Sequence, residues 1–227
     1  MTADHPLRLS VVVPARNEAH ELPTTLSKLS RSFGLSSDDE IIVVDGQSTD
    51  GSDCIAASHA EIRHLQSEPG RARQMNTGAA AATGDLLLFC HADTHPCDGS
   101  APDLKQLFRR RRNLVAVAFH FALSDERRIS FLPIIWGVNL RSTILGLPYG
   151  DQCFVVRRSV FEQIGGYRCL ERCEDLDFWL RVRRVGRTAI LPWPAYTSAR
   201  RWQRDGIWAT TFDNLIALLR YLLGKKQ

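Results

Sequence analysis

Ile41-Ile42-Val43-Val44-Asp45-Gly46 is a run of four apolar residues with no polar alternation, stopped by a carboxylate and a glycine. A strand of that kind belongs in a sheet covered on both faces, because a half-solvated strand alternates apolar and polar residues. The same pattern recurs on either side. Leu9 to Val13 is a nearly continuous apolar run ending at Pro14, after which Leu22, Leu26, Leu29 and Phe33 fall on one helical face. Downstream, Thr49-Asp50-Gly51 offers a cap for a short helix ending near Ser58, and Ile62 to Leu65 predicts a third strand. Pro69 suits a helical first turn, the alanine-rich segment Ala79 to Ala82 continues that helix, Gly84 closes it, and Leu86 to Phe89 predicts a fourth strand. The fold class is therefore α/β, a mostly parallel central sheet flanked by helices.

The rest of the chain supports one substantial core. Its 227 residues are 44% hydrophobic and 24% charged, the balance of a folded soluble protein. At that length roughly 70 to 75% of the unfolded surface is buried, so folding needs neither a disulfide nor a structural metal. No uncharged run exceeds 12 residues, whereas a spanning helix needs about 20 apolar ones. Asp4, His5 and Pro6 do not resemble a cleavable signal, and the expected compartment is the cytoplasm. The net charge is +4, 29 basic residues against 25 acidic, too small to imply a nucleic-acid partner even though 25 of the 29 are arginine. Six scattered cysteines read as free thiols.

After Ser100 the pattern changes. Pro102 to Arg112 predicts a helix, Val115 to Leu123 a long strand, Ile129 to Leu145 an apolar helix despite Pro133, and Cys153 to Val156 a short strand. Asp175 to Val185 predicts a helix, and a last one runs from Ile207 to Leu223, followed by Gly224 and two lysines. No linker, repeat or low-complexity tract divides the chain, so residues 1–227 form one domain.

In parallel sheets ligands bind beyond the carboxyl ends of the strands, which directs attention to Pro14–Glu18, Asp45–Asp50 and His91–His95. Asp45 at a strand end can accept hydrogen bonds from a base or ribose, or make an Asx turn; Asp50 fits a helix cap better. Asp93 can hold Mg²⁺ or Mn²⁺ whose other positions go to phosphates, with His91 beside it, or serve as a turn residue. A zinc site from Cys90, His91, His95 and Cys97 has spacings too tight for a structural ribbon. Arg71 and Arg73 at a helix start suit an anion, or are merely solvated. Glu174 and Asp175 open a helix, where acidic residues suit the dipole, or one of them acts as a general base. Arg200, Arg201 and Trp202 precede the last helix and offer a pyrophosphate clamp. Phe131 to Leu147, with Trp136 and nearby Arg127, Arg128 and Arg141, reads as core, an oligomer contact or a peripheral membrane contact.

Five runs in order, Val12-Val13-Pro14-Ala15-Arg16-Asn17-Glu18, Asp45 to Gly51, Gly70 to Asn76, His91-Ala92-Asp93 and Glu174-Asp175, resemble the family 2 glycosyltransferases of GT-A fold. His91 to Thr94, Gly150-Asp151-Gln152 and Ser198 to Trp202 further resemble a subgroup named for radical-SAM, selenium-related or arsenosugar genes. The resemblance implies inverting transfer of one sugar from a nucleoside-diphosphate-sugar, expected to be a UDP-sugar, to an acceptor hydroxyl that the sequence does not identify. It implies a nucleotide-binding half over 1–99 and an acceptor-binding half over 100–227. By that likeness Pro14, Ala15, Asn17, Glu18, Asp45, Ser48, Arg71, Arg73, Asn76, Ala92 and Asp93 bind the donor. Asp93, with His91, holds a divalent cation, Mg²⁺ or Mn²⁺. Asp175 is the base with Glu174 beside it, and Asp151, Gln152, Arg201 and Trp202 face the acceptor or diphosphate. His91 stands where the family carries an aspartate, and Ser198 where processive members carry glutamine. The alternatives are a nucleotidyltransferase of related fold, or a module binding nucleotide-sugars or nucleic acid without catalysis.

Overall fold

The computed structural model describes residues 6–124 and 131–223; the side chains of Arg201, Ile207, Trp208 and Leu222 are outside that description. The expected Arg127, Arg128, Ile129 and Gly224 also lie outside it. The first half follows the predicted rhythm: β1 (Leu9–Ala15), α1 (Leu22–Arg31), β2 (Glu40–Asp45), α2 (Ser52–Ala57), β3 (Ile62–Gln66), α3 (Arg71–Ala81), β4 (Leu86–Phe89). These four strands are parallel, in the order β3-β2-β1-β4.

The second half adds β5 (Thr94–Pro96), α4 (Ser100–Arg110), β6 (Leu114–Leu123), α5 (Leu132–Leu140), β7 (Phe154–Arg157), α6 (Arg158–Gln163), α7 (Glu174–Val185), β8 (Arg187–Thr197), α8 (Arg200–Asp205) and α9 (Ile207–Leu222). The sheet continues from β4 through β7, β6 and β8 to β5. Strand β7 runs antiparallel to both neighbours, and β5 antiparallel to β8, so the sheet is mixed but mostly parallel.

Strand periodicity explains the three layers. Val11 and Val13 of β1 point into a core with Leu22, Leu26 and Leu29 of α1 and Leu104 of α4, whereas Val12 between them points into the opposite core, which also holds Met75 of α3 and Trp179 and Val182 of α7. Both faces are thus covered, as the unalternating strand sequences require. A β-carbon at Gly78 would fall on the side chain of Val12, so glycine there lets α3 lie close against β1.

Several elements differ from expectation. Helix α3 begins at Arg71, with Gly70 at φ +132° before it, so Pro69 precedes the helix instead of occupying its first turn. Pro133 is tolerated because it sits in the first turn of α5, which continues as a π-turn over Arg141–Leu145. Strand β8 carries Pro192 and Pro194, which mask its pattern; the register against β6 shifts between Phe119 and His120, a bulge that accommodates them. No helix among the described residues is long and apolar enough to cross a membrane.

Candidate active site

The chain builds β2 and β3 outward on one side of β1 and then places β4 on the other. The strand order therefore reverses between β1 and β4, the position where open α/β sheets leave a crevice. Pro14, Arg16 and Glu18 leave β1 there, and His91, Ala92 and Asp93 leave β4. Both segments line a cavity of about 480 Å³, a size suited to a small-molecule ligand. Its opposite wall comes from the second half: Tyr149, Gly150 and Asp151, the loop entering α7 from Glu171 to Asp175, then Ser198 and Trp202, with Asn214 and Ala217 of α9.

Six carboxylates line this cavity, on Glu18, Asp93, Asp151, Glu171, Glu174 and Asp175, against the guanidinium groups of Arg16, Arg71 and Arg172. Guanidinium groups offset some of this charge locally, Arg71 Nη1 also lying 4.0 Å from Asp175 Oδ2. Arg71 Nη1 donates to Glu174 Oε1 at 2.9 Å, and Arg200 Nη2 donates to Glu18 Oε2 at 2.6 Å. Arg172 makes a bidentate pair with Asp213 of α9 at 2.9 and 2.6 Å, tying the loop before α7 to that helix.

Asp175 is the most perturbed of the acids. It is 7% exposed, Oδ1 is buried without a hydrogen-bond partner, and Oδ2 lies 3.7 Å from His91 Nε2. Burial first, and the negative charge of Glu174 second, push its pKa up to about 7, with Arg71 opposing and the Gly150 amide donating to it. His91 is driven well below the ordinary histidine range by burial and by Arg71, so its ring is neutral at pH 7. A β-carbon on Gly150 would collide with both the Asp175 carboxylate and the His91 ring. Glycine at this position is what lets the three approach.

Asp93 lines the same cavity. Its Oδ1 accepts from Thr94 Oγ1 at 3.1 Å, and its carboxyl is raised by burial, opposed by Thr94, Arg200 and Arg71. Thr94 Oγ1 also shares a hydrogen bond of 2.8 Å with Thr197 Oγ1, and the Ser198 amide donates to the Asp93 carbonyl at 2.9 Å, so β5 and β8 hold the segment in place. Among the described residues no three His, Cys, Asp or Glu side chains group to hold a metal by themselves. Asp93 alone can still complete a site with a bound diphosphate, since Mg²⁺ typically takes one or two carboxylates plus substrate phosphates. Cys90 Sγ donates to the Thr94 carbonyl and lies 3.6 Å from Cys153 Sγ, an arrangement unlike a zinc centre.

The structure brings Pro14, Glu18, Arg71, His91, Ala92, Asp93, Asp151, Glu174, Asp175 and Trp202 to this one cavity. The other expected residues sit around it. Asp45 is buried at the end of β2; Oδ2 accepts the Ser48 amide at 3.0 Å while Oδ1 has no partner. Ala15 is buried behind Pro14. Asn17 and Ser48 stitch two loops together, Asn17 N–H donating to Ser48 Oγ and Thr49 N–H to Asn17 Oδ1, each at 2.9 Å. Asp50 continues the seam by accepting from the Ala19 and Ser52 amides. Arg73 points outward to Glu68 at 3.3 Å. Asn76 spends its amide on the Tyr167 backbone, two bonds of 2.9 Å. Gln152 is buried and donates to the Phe119 carbonyl at 2.8 Å, which anchors the turn carrying Asp151. The Arg201 side chain is outside the described residues.

Other lining residues carried no such expectation. Gln74, in the middle of a helix, donates from Nε2 to the carbonyls of Ala15 at 2.8 Å and Val44 at 2.9 Å, clamping the ends of β1 and β2. Tyr149 lies under the Arg141 guanidinium, 3.8 Å from its ring centroid, and its position next to Gly150-Asp151 was the available signal. Glu171 and Arg172 had no readable signal.

This architecture, a mostly parallel sheet with an acidic crevice at its reversal point, is the GT-A fold. S. aureus TarS 1-349 superposes with TM-score 0.69 at 17% identity, over 85% of this chain and 61% of that one. The mannosyltransferase PcManGT from Pyrobaculum calidifontis, solved with GDP-Man and Mn²⁺, gives 0.64 at 21% identity over 86% and 58%. The chain belongs to glycosyl transferase family 2, whose model matches residues 10–165. Relatives include the probable glycosyltransferase YdaM of Bacillus subtilis (strain 168), 25% identical over 211 residues, which cover 79% of this chain and 47% of YdaM. The pre-mycofactocin glycosyltransferase of Mycobacterium tuberculosis is 28% identical over 205 residues, 78% of this chain and 39% of the relative. The chain thus spans about half or less of these two relatives.

Proposed function

We propose that this domain transfers one sugar, with inversion, from a nucleoside-diphosphate-sugar to an acceptor hydroxyl, assisted by a divalent cation. One observation carries the reading: Asp175, a buried and perturbed carboxyl with one oxygen unpartnered among the described residues, lines the same cavity as Asp93. A carboxyl whose pKa is pushed to about 7 matches the working pH of a general base better than an ordinary aspartate.

In the reaction the acceptor oxygen forms a bond to the anomeric carbon as the bond from that carbon to the β-phosphate oxygen breaks. The hydroxyl proton passes to the Asp175 carboxylate, and the nucleoside diphosphate departs. Asp93 would hold Mg²⁺ or Mn²⁺, which supplies Lewis-acid stabilisation of the leaving diphosphate. Arg71 and Arg200, each already tied to a carboxylate, border the same region. Asp45, with one buried oxygen unpartnered, is the residue assigned to the nucleotide base. UDP is the preferred donor nucleotide; TarS has been solved with UDP and with UDP-GlcNAc, although its likeness bears on fold alone.

Residues 1–99 supply the nucleotide wall and residues 100–227 the acceptor wall. The subgroup linked to radical-SAM, selenium or arsenosugar genes fits because its three characteristic runs all reach the cavity, through His91, Asp151, Ser198 and Trp202. Transfer of a single sugar fits Ser198, whose hydroxyl is committed to Glu21 at 2.9 Å. The test is release of nucleoside diphosphate from sugar nucleotides in the presence of acceptor extracts. Asp175→Asn is expected to cut turnover roughly 10² to 10⁴-fold while donor binding persists; unchanged turnover removes Asp175 from the mechanism.

A further inference from the structure

We propose that the exposed apolar faces of α5 and α9 dock on an anionic lipid bilayer. Along α5 and its π-turn, Leu132, Trp136, Leu140 and Ile144 repeat every four residues and are 41 to 71% exposed. That stripe is roughly 18 Å long at the helical rise. The opposite side of α5 is apolar too, with Ile134, Ile135 and Val138 packed on Phe121 and Phe131. A helix apolar all round is ordinarily buried, so among the described residues half of α5 lacks the cover its sequence calls for.

Helix α9 repeats the arrangement. Asn214, Ala217 and Leu218 face inward, whereas Phe212, Leu215, Ile216 and Leu219 lie on the opposite side of the wheel, 42 to 63% exposed. The two helices meet the same landmark. Trp202 packs with Phe121, next to α5, and lines the cavity together with Asn214 and Ala217 of α9. Two exposed apolar stripes, one of them on a helix that lines the cavity, exceed the scattered exposed leucines of an ordinary surface.

Charge selects the occupant. No acidic residue occurs between Phe131 and Gly150, and the one on α9, Asp213, is paired with Arg172. Exposed Arg183 donates to the carbonyls of Leu145 and Gly146 at the end of the α5 stripe, and Arg220 is exposed in the last turn of α9. Apolar stripes with tryptophan and an arginine rim are what a helix lying in an anionic lipid interface presents. Docking rests on the transferase reading only for its consequence, that the acceptor is carried at a membrane surface.

The experiment is co-sedimentation with vesicles of phosphatidylcholine plus phosphatidylglycerol, and of phosphatidylcholine alone. Binding to the anionic vesicles is expected to be about tenfold or more tighter, and to drop about tenfold or more in Trp136→Ser/Ile144→Ser and in Phe212→Ser/Leu219→Ser. Brominated lipid should quench tryptophan fluorescence in the wild type more than in Trp136→Phe, a variant that keeps an aromatic ring. Asp175→Asn should sediment like the wild type, which separates docking from catalysis. Absence of vesicle binding, equal binding by the serine variants, or equal quenching in Trp136→Phe overturns the proposal. So does self-association abolished by the same substitutions without lipid affinity, which would assign the face to a second copy.

Discussion

His91 Nε2 lies 3.7 Å from Asp175 Oδ2 and has no hydrogen-bond partner among the described residues, so a neutral imidazole and a perturbed carboxyl share one corner of the cavity. A family-typical aspartate at position 91 would add a negative charge beside Asp175 and raise its pKa further. Histidine avoids that repulsion while leaving Asp93 as the single carboxylate of the motif.

Under the proposed mechanism the protonation of Asp175 sets the pH dependence. As a base it must be ionised, so kcat/KM should rise with pH and level off above about 7. Glu174→Gln removes the second cause of the upward shift, and the break in the profile should move to lower pH. A profile indifferent to Glu174→Gln contradicts the electrostatic coupling of the two.

The same shift makes a stability statement. Between the ordinary aspartate value of 3.8 and about 7 the folded protein retains a proton that the unfolded chain has released, so stability falls as pH rises through that window. Asp175→Asn removes the penalty. At about pH 8 the variant should be more stable than the wild type by about 1 to 3 kcal/mol, measured by urea unfolding, though inactive. A less stable Asp175→Asn would mean the carboxylate has a structural task.

Gly150→Ala should leave the core intact and damage the chemistry. The added methyl group displaces Asp175 and His91, and a misplacement of about 1 Å costs about 10² in turnover. Steady-state kinetics alongside a melting curve checks this; the expected result is a large loss of kcat with a small change in Tm.

Gln74→Leu should do the reverse. It removes two buried hydrogen bonds at the ends of β1 and β2, although the Ala15 carbonyl keeps the Gly46 amide at 2.9 Å, and unfolding stability should fall by about 1 to 3 kcal/mol. A change below about 0.5 kcal/mol would show that the clamp is replaceable.

These residues also show what a sequence exposes. Strands β1 to β4 are legible because burial on both faces demands unbroken apolar runs, and α1 because Leu22, Leu26 and Leu29 keep one face. Strand β8 hides because Pro192 and Pro194 sit at its bulge, and β5 because three residues carry no period. The convergence of Asp93 and Asp175 depends on β7 inserting antiparallel beside β4, a long-range pairing without a local signal. Asn76 and Gln152 share the polar look of ligand-binding residues, yet their amides are spent on the backbone of Tyr167 and Phe119. Sequence cannot tell a polar group that will face a ligand from one that will be satisfied internally.

The central claim is that this crevice grips a nucleoside diphosphate through a cation held at Asp93. Calorimetric titration of UDP into the wild type with Mn²⁺, and again with EDTA, tests it most directly. The account predicts affinity weakened about tenfold or more by EDTA, the same contrast in Asp175→Asn, and no contrast in Asp93→Asn. Equal affinity with and without metal in the wild type, or a metal effect that survives in Asp93→Asn, would contradict it.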